Sequence, residues 1–171
     1  MQEKALDTNP VDITTLISYR VLVFSGTLAR WAAREYLHNF DLKLPEWRII
    51  SIVGARGPIS ANEVSEIISI DKAWISRTIP ALVKRNLVRL QADAQDRRRK
   101  MLTLTPKGAE IHKKLSRISR ARQDRLFQSL KATDVAKLQS ILATLQAEAE
   151  KMLIEQETQT RRHPTAGTDP E

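Results

Sequence analysis

Cationic side chains are concentrated in the middle of this 171-residue sequence. Between Asp71 and Arg125 there are 16 lysines and arginines but only 5 aspartates and glutamates. That excess of 11 positive charges is larger than the net charge of +8 for the whole sequence, so the remaining residues are slightly acidic. A basic middle segment favours an anionic partner such as a nucleic acid, and the alternative is a set of solvated helix faces.

Residue patterns that carry catalysis are missing from the sequence. It contains no G-x-S-x-G motif, no phosphate-binding loop and no HExxH motif, and its three histidines show no ligand spacing. Cysteine is absent, which excludes disulfides and thiolate metal sites. We therefore expect neither an enzyme nor a cofactor, metal or catalytic site.

Hydropathy gives no indication of a membrane protein. Apolar runs are far shorter than the roughly 20 residues that span a bilayer. The N-terminal residues MQEKALDTNP lack the basic and then apolar layout of a signal peptide. The sequence therefore predicts a cytoplasmic protein.

The elements that would position the cationic residues begin with helices. Apolar residues recur at helical spacing from Val11 to about Phe40, which predicts a long amphipathic helix. Pro45 suits the first turn of a second helix, which the sequence GARGP at 54–58 is expected to end.

Two further helices have clear N-terminal signals. Ser60 followed by Glu63 is typical of a capping box for a short third helix, 61–68. Asp71 is a good N-cap for a fourth helix that runs to about Arg85. Two short helices joined by a tight turn indicate a helix-turn-helix.

A basic hairpin follows the helix-turn-helix. Asn86 suits a left-handed helix end, and residues 87–90 and 100–104 alternate as strands around a polar, arginine-rich turn. Ile59 could add a short strand. Thr105 and Pro106 then begin another long helix.

The predicted fold class is mainly α with a small β-wing, a winged helix-turn-helix flanked by long N- and C-terminal dimerisation helices. The flanking helices have apolar stripes but little core of their own to cover, so we expect them to interleave in a symmetric homodimer. The predicted divisions are a flexible arm (1–10), an N-terminal dimerisation helix (11–44), a DNA-binding lobe (45–104), C-terminal dimerisation helices (105–154) and a disordered tail (155–171).

This ordered set of motifs resembles the MarR family of bacterial repressors over residues 11–153. The matching pieces are residues 45–48 (PEWR), 59–64 (ISANEV), 71–78 (DKAWISRT), 82–88 (LVKRNLV), 93–98 (DAQDRR) and 102–108 (LTLTPKG). Three positions depart from the family pattern. Gln95 stands where arginine is frequent, Asn86 replaces a common glycine, and Pro80 lies inside the recognition helix, where it removes a backbone hydrogen bond and is expected to kink the helix.

Helix-turn-helix geometry assigns the DNA contacts. The fourth helix would enter the major groove with its N-terminal residues at the base edges, and the wing arginines would enter the minor groove. The alternatives are that Trp74 packs inside the domain and that the wing only binds phosphates. Asp93 and Asp96 are the candidates for stabilising the wing, with Asp96 expected to form an ion pair with one wing arginine. The candidate DNA contacts are Ser60, Asn62, Lys72, Ala73, Trp74, Ser76, Arg77, Lys84, Arg97, Arg98 and Arg99.

The resemblance also implies an effector. Proteins similar to this one often bind small anionic aromatic compounds between the dimer helices and the DNA-binding lobe. An aromatic wall with a cation suits an aromatic carboxylate or its acyl-CoA thioester. The alternative is that the tryptophans belong to the core and the cations are solvated. The candidate residues are Arg20, Trp31, Arg34, His38, Trp47 and Arg48.

These features together predict a homodimeric, sequence-specific repressor of a nearby operon. It would bind double-stranded DNA at an imperfect palindrome and be released by a small aromatic, anionic effector. The alternatives are a ligand-independent regulator or activator, and a nucleoid-like structural DNA binder.

Overall fold

A computed structural model describes residues 10–68, 70–93, 95–96 and 98–162 of the chain. A short 3-10 turn (Ile13–Thr15) precedes the first α-helix, and the described residues divide into two compact units after Ser119. The elements are α1 (Ile17–Phe40), α2 (Leu44–Arg56), β1 (Ile59–Ser60), α3 (Ala61–Ile68), α4 (Lys72–Lys84), β2 (Val88–Ala92), β3 (Lys100–Leu104), α5 (Pro106–Phe127) and α6 (Ala132–Arg162).

The predicted fold class is confirmed. The three strands form an antiparallel sheet in the order β1-β3-β2, with Ile59 opposite Leu102 and Val88 opposite Leu104. The hairpin of β2 and β3 is the wing, and α3 and α4 are the helix-turn-helix. Within the described part of the chain, no helix is long and apolar enough to cross a membrane.

Local capping explains why α3, α4 and α5 begin where the sequence predicted. At α3, the Ser60 amide donates to the Glu63 carboxylate (2.9 Å), and the Glu63 amide donates to the Ser60 hydroxyl (3.3 Å). The Asp71 carboxylate accepts from the Trp74 amide (3.0 Å) at the start of α4. Thr105 does the same for α5, because its hydroxyl accepts from the Gly108 amide (3.0 Å). Each cap satisfies a donor that the helix itself leaves unpaired.

The end of α4 also follows the sequence. Asn86 adopts the left-handed conformation, with φ of 56°, directly after the C-cap residue Arg85. Pro80 lies inside α4, and the helix continues through it to Lys84.

Three predicted helix boundaries are wrong, and strand β2 covers Val88–Ala92 and not residues 87–90. Helix α1 begins at Ile17 and not at Val11, because the Asp12 carboxylate accepts from the Thr14 amide and holds a separate 3-10 turn before an extended Leu16. Helix α2 continues past Gly54 to Arg56. A Cβ at Gly54 would lie 2.5 Å from the His112 ring, so this glycine permits close packing of α2 on α5 and does not end the helix.

The third wrong helix boundary is the end of α6, which begins at Ala132 and runs to Arg162. Residues 155–162 are therefore helical, where a disordered tail was predicted. Glutamate, glutamine and arginine are good helix formers even without an apolar stripe. The arm at 1–9 and residues 163–171 lie outside the described residues.

The core of the first unit lies beneath α4 and the sheet. Fully or almost fully buried side chains come from all five helices of this unit and from all three strands. They include Tyr36, Ile49, Ile50, Ile75, Leu82, Leu87, Leu102 and Leu115. Burying a side chain of this size contributes about 1.5–3 kcal/mol, so this cluster fixes how the helices pack.

The second unit contains the end of α5 and all of α6. Its apolar side chains are largely exposed, and Ile141, Leu145 and Leu153 show 47–56% of their surface. They recur along α6 at helical spacing. As described, this unit has an apolar face without a core beneath it.

Two glycines give a matched pair of stability predictions. A Cβ at Gly108 would lie 1.9 Å from the Leu87 carbonyl oxygen, which is backbone and cannot move aside, whereas a Cβ at Gly26 would meet only Arg30 Nη1 at 3.6 Å. We expect Gly108→Ala to lower the free energy of unfolding by about 2–3 kcal/mol through overpacking. Gly26→Ala should raise it by about 0.5–1 kcal/mol through helix propensity. Urea unfolding at equal protein concentration measures both, and a neutral Gly108→Ala variant would contradict the packing.

Candidate nucleic-acid interface

Helix α4 is divided into a buried and an exposed face. Ile75, Ile79 and Leu82 are buried in the core. The opposite face carries exposed candidate contacts from the sequence, namely Lys72, Ala73, Ser76, Arg77 and, at the last turn, Lys84. The structure therefore places small and cationic side chains together on one exposed helix face, as a major-groove reader requires.

Trp74 is the one candidate on α4 that is not freely exposed. Its side chain is half-buried and packs against the core cluster. Its amide donates to Asp71 at the helix start. Part of the indole is thus a packing element, and only the remainder can contact a partner.

A groove lies between the start of α3 and the wing. Its volume is about 540 Å³, and it is lined by Ser60, Ala61, Asn62, Glu63, Glu66, Arg98, Arg99 and Lys100. Four of the predicted DNA contacts line this groove, namely Ser60, Asn62, Arg98 and Arg99. At least 36 positions of sequence separate the first two from the last two. The pairing of β1 with β3 brings the two segments together.

Glu63 has a role in this groove that sequence reasoning missed. Besides capping α3, its carboxylate lies 3.6 Å from Arg99 Nη2, with both side chains about half exposed. Hydrogen bonds from the Ser60 hydroxyl and amide, followed by the Arg99 charge, hold the pKa of Glu63 below its ordinary value. Glu63 therefore stays ionised and links the start of α3 to the wing. The capping-box spacing revealed the cap, but no local signal pointed to Arg99.

The wing turn is organised by two carboxylates. Asp93 accepts from the amides of Gln95 (2.8 Å) and Asp96 (3.1 Å), and these bonds, the Gln95 bond first, lower its pKa. Asp96 accepts from the Arg98 amide (3.0 Å). The backbone closes the turn, since the Asp93 amide donates to the Arg99 carbonyl (2.9 Å).

The expected ion pair between Asp96 and a wing arginine is not among the ion pairs of the described residues. Among the described residues, the Asp96 carboxylate accepts from the Arg98 amide, and Arg99 forms an ion pair with Glu63. An ion pair between Asp96 and Arg97 stays a prediction. Arg97 lies outside the described residues.

A second groove follows one face of α1. It has a volume of about 480 Å³ and is lined by Thr27, Arg30, Trp31, Arg34, Glu35 and His38. Trp31 meets Tyr36 edge to face with ring centroids 6.4 Å apart, and Tyr36 stacks on Trp47 at 4.6 Å. The groove is thus lined by one aromatic ring, that of Trp31, and by two arginines, and the buried Tyr36 lies behind Trp31.

The candidate effector residues are only partly brought together. Trp31, Arg34 and His38 line this groove. Trp47 does not line it but stacks on Tyr36, which contacts Trp31. Arg20 and Arg48 are not among the lining residues, since Arg20 is three helical turns before Trp31 on α1 and Arg48 is half-buried on α2. Thr27, Arg30 and Glu35 were missed, although their spacing on α1 indicates the same face.

Comparison with known proteins finds similarity in both sequence and fold. The MarR family model matches residues 40–99, which span α2 to the wing. A MarR/EmrR family transcriptional regulator from Acinetobacter sp. ADP1 superposes with a TM-score of 0.76 at 23% identity, over 82% of this chain and 99% of that one. The protein in the Staphylococcus aureus MepR–DNA complex superposes with a TM-score of 0.70 at 19% identity, over 78% and 98%.

Curated relatives agree with this class. An uncharacterised HTH-type transcriptional regulator of Staphylococcus aureus strain Mu50 is 30% identical over 80 residues, which are 47% of this chain and 55% of the relative. The HTH-type transcriptional repressor NicR of Pseudomonas putida is 29% identical over 113 residues, 62% of this chain and 66% of NicR. The chain thus spans about half the length of the Staphylococcus relatives it matches. The MarR family model thus matches the segment from α2 to the wing, and the solved MarR-family structures share the fold of this chain.

Proposed function

We propose that this chain is a DNA-binding transcriptional regulator that places the first half of α4 in the major groove. The observation that carries the proposal is the exposed face of Lys72, Ser76 and Arg77, which lies on a helix whose other face is locked in the core. In the groove between α3 and the wing, Arg98, Arg99 and Lys100 outnumber Glu63 and Glu66 and supply a second set of cations for phosphates. Two proteins of the same fold, MepR and Streptococcus pneumoniae FabT, were crystallised with DNA, which supports the same use here.

A substitution at Arg77 distinguishes hydrogen bonding to bases from attraction between charges. A duplex selected by the protein from a random 30-base-pair pool serves as the specific probe, and poly(dI-dC) serves as the non-specific one. We expect Arg77→Lys to weaken binding to the selected duplex by about 1–3 kcal/mol, because lysine cannot make the paired hydrogen bonds of a guanidinium with guanine. Binding to poly(dI-dC) should be retained. Fluorescence anisotropy titrations measure both, and equal losses on the two probes would reject base reading by Arg77.

We propose further that the protein acts as a homodimer in the cytoplasm. In the first unit, Ile17, Leu22 and Val23 on α1 expose 50–72% of their surface, and in the second unit α6 exposes a comparable apolar face. Apolar faces of this length on a small protein favour burial against another chain. A second copy is the occupant we propose, because two-fold pairing presents two α4 helices about one DNA turn apart and so reads an imperfect palindrome.

Charge on these faces should separate the copies. Leu22→Glu in α1 and Ile141→Glu in α6 each place a carboxylate on an exposed apolar face, and burying it would cost several kcal/mol. We expect sedimentation velocity to show a dimer for the unaltered protein and a monomer for both variants. Gln123→Glu adds the same charge at an exposed polar position of α5 and should remain dimeric. A monomeric unaltered chain would contradict the proposal.

The repressor function we propose includes release from DNA by a small aromatic anion bound in the α1 groove. Trp31, backed by the buried ring of Tyr36, offers an aromatic surface, and Arg30 and Arg34 offer cations for a carboxylate. Such a ligand releases DNA only if it binds better to a half-site spacing that does not fit the operator.

Thermal shift measurements with benzoate, phenylacetate and phenylacetyl-CoA test the groove. We expect at least one of these compounds to raise Tm and to weaken binding to the selected duplex. Arg34→Gln should abolish the shift through loss of the carboxylate partner, whereas Lys137→Gln, on α6, removes a charge elsewhere and should leave it unchanged. A shift that survives Arg34→Gln would place the ligand outside this groove.

A further inference from the structure

Arg85 joins helix ends that are far apart in the sequence. Its Nη1 donates to the Asp41 carbonyl oxygen at 2.8 Å and lies 3.4 Å from Glu46 Oε1. Its Nη2 donates to the Phe40 carbonyl oxygen at 3.1 Å and lies 3.6 Å from the Asp41 carboxylate. One guanidinium therefore holds two backbone carbonyls and two carboxylates.

Arg85 links the end of its own helix, α4, to the ends of three other helices. Phe40 and Asp41 end α1, and Asp41 adopts φ of 53° there. Glu46 lies in the first turn of α2, where its second carboxylate oxygen accepts from the Lys43 amide at 2.8 Å. Arg85 itself is the C-cap of α4, and its carbonyl accepts from Lys107 Nζ of α5 at 3.3 Å.

The contacts of Arg85 fix the orientation of α4 relative to α1. The last carbonyls of α1 have no partner within their own helix, so a planar fork of fixed shape can satisfy two of them at once. The Glu46 side chain is only 10% exposed and the Arg85 side chain 30%, so the pair is screened less than a surface pair. Turning α4 relative to α1 would break several of these bonds together.

We propose that Arg85 is a positioning residue for DNA recognition, which fixes the direction of α4 relative to α1. The proposal rests on the proposed DNA-binding function, because α4 carries the reading face and α1 the apolar face and effector groove. Arg85 acts through α4 and does not contact DNA. It ties the reading helix to the helix on which a partner chain and an effector would act.

The test uses a charge-balanced variant, so that no buried carboxylate is left without its cation. Arg85→Gln combined with Glu46→Gln keeps an acceptor for the Lys43 amide and removes the fork. We expect binding to the selected duplex to fall about tenfold or more, which corresponds to one charge-assisted hydrogen bond. The dependence of affinity on salt should keep its slope. A residue that bound a phosphate would lower that slope by about 0.9.

Arg85→Lys and a control complete the series. Lysine keeps the charge but not the fork, so we expect most of the loss to remain. Arg56→Gln removes an exposed charge at the end of α2 and should bind as the unaltered protein does. A reduced salt slope, or full affinity in Arg85→Lys, would overturn the positioning role.

A second readout needs no DNA and therefore separates this proposal from the proposed function. Because the sequence contains no cysteine, Asn39→Cys on α1 and Ala73→Cys on α4 give two unique spin-label sites. We expect the distance distribution between the labels, diluted with unlabelled protein, to be narrow and to broaden or shift in the double glutamine variant. An unchanged distribution in a folded variant overturns the proposal even if DNA binding is lost. Broadening in a protein that selects no DNA sequence would reject only the proposed function.

Discussion

The inner face of α4 is the constraint on which the rest of the interface depends. Ile75, Ile79 and Leu82 are buried against the same core that holds α2 and the sheet, so the helix cannot rotate about its axis without exposing them. That burial decides which side chains face outward. Lys72, Ser76 and Arg77 become a surface because their neighbours at helical spacing are part of the core.

The wing is attached to this arrangement by a second, smaller set of contacts. Strand β3 pairs with both β1 and β2, so the wing and the start of α3 share one sheet. Glu63 adds an ionic link from α3 to Arg99, and Asp93 and Asp96 close the turn through backbone amides. Cations of the wing therefore lie beside the first helix of the motif, and a phosphate backbone could contact both.

The sequence predicted the elements well because their signals are local. The capping pairs at Ser60, Asp71 and Thr105 and the left-handed Asn86 each act within a few residues, and all of them hold. The candidate residues that these elements bring together, Ser60 and Asn62 with Arg98 and Arg99, follow from the same signals combined with the pairing of β1 and β3.

Features set by distant contacts were not predictable in this way. The sequence at 54–58 predicts the end of α2, and only the packing of His112 shows why a glycine stands at position 54. The partners of Arg99 and Arg85 come from elements about 35 to 45 residues away, for which the sequence offers no spacing rule. The end of α6 was missed for a different reason. Residues 155–162 have no apolar periodicity, which predicts disorder, but many of them have good helix propensity.

The central claim is that α4 reads the major groove, and methylation interference on a selected duplex tests it most directly. Methylation at guanine N7 blocks the major groove, and methylation at adenine N3 blocks the minor groove. The account predicts interference at guanine N7 in two half-sites centred about one turn, roughly 10 base pairs, apart. Interference confined to adenine N3, or binding that is indifferent to both modifications, would contradict it.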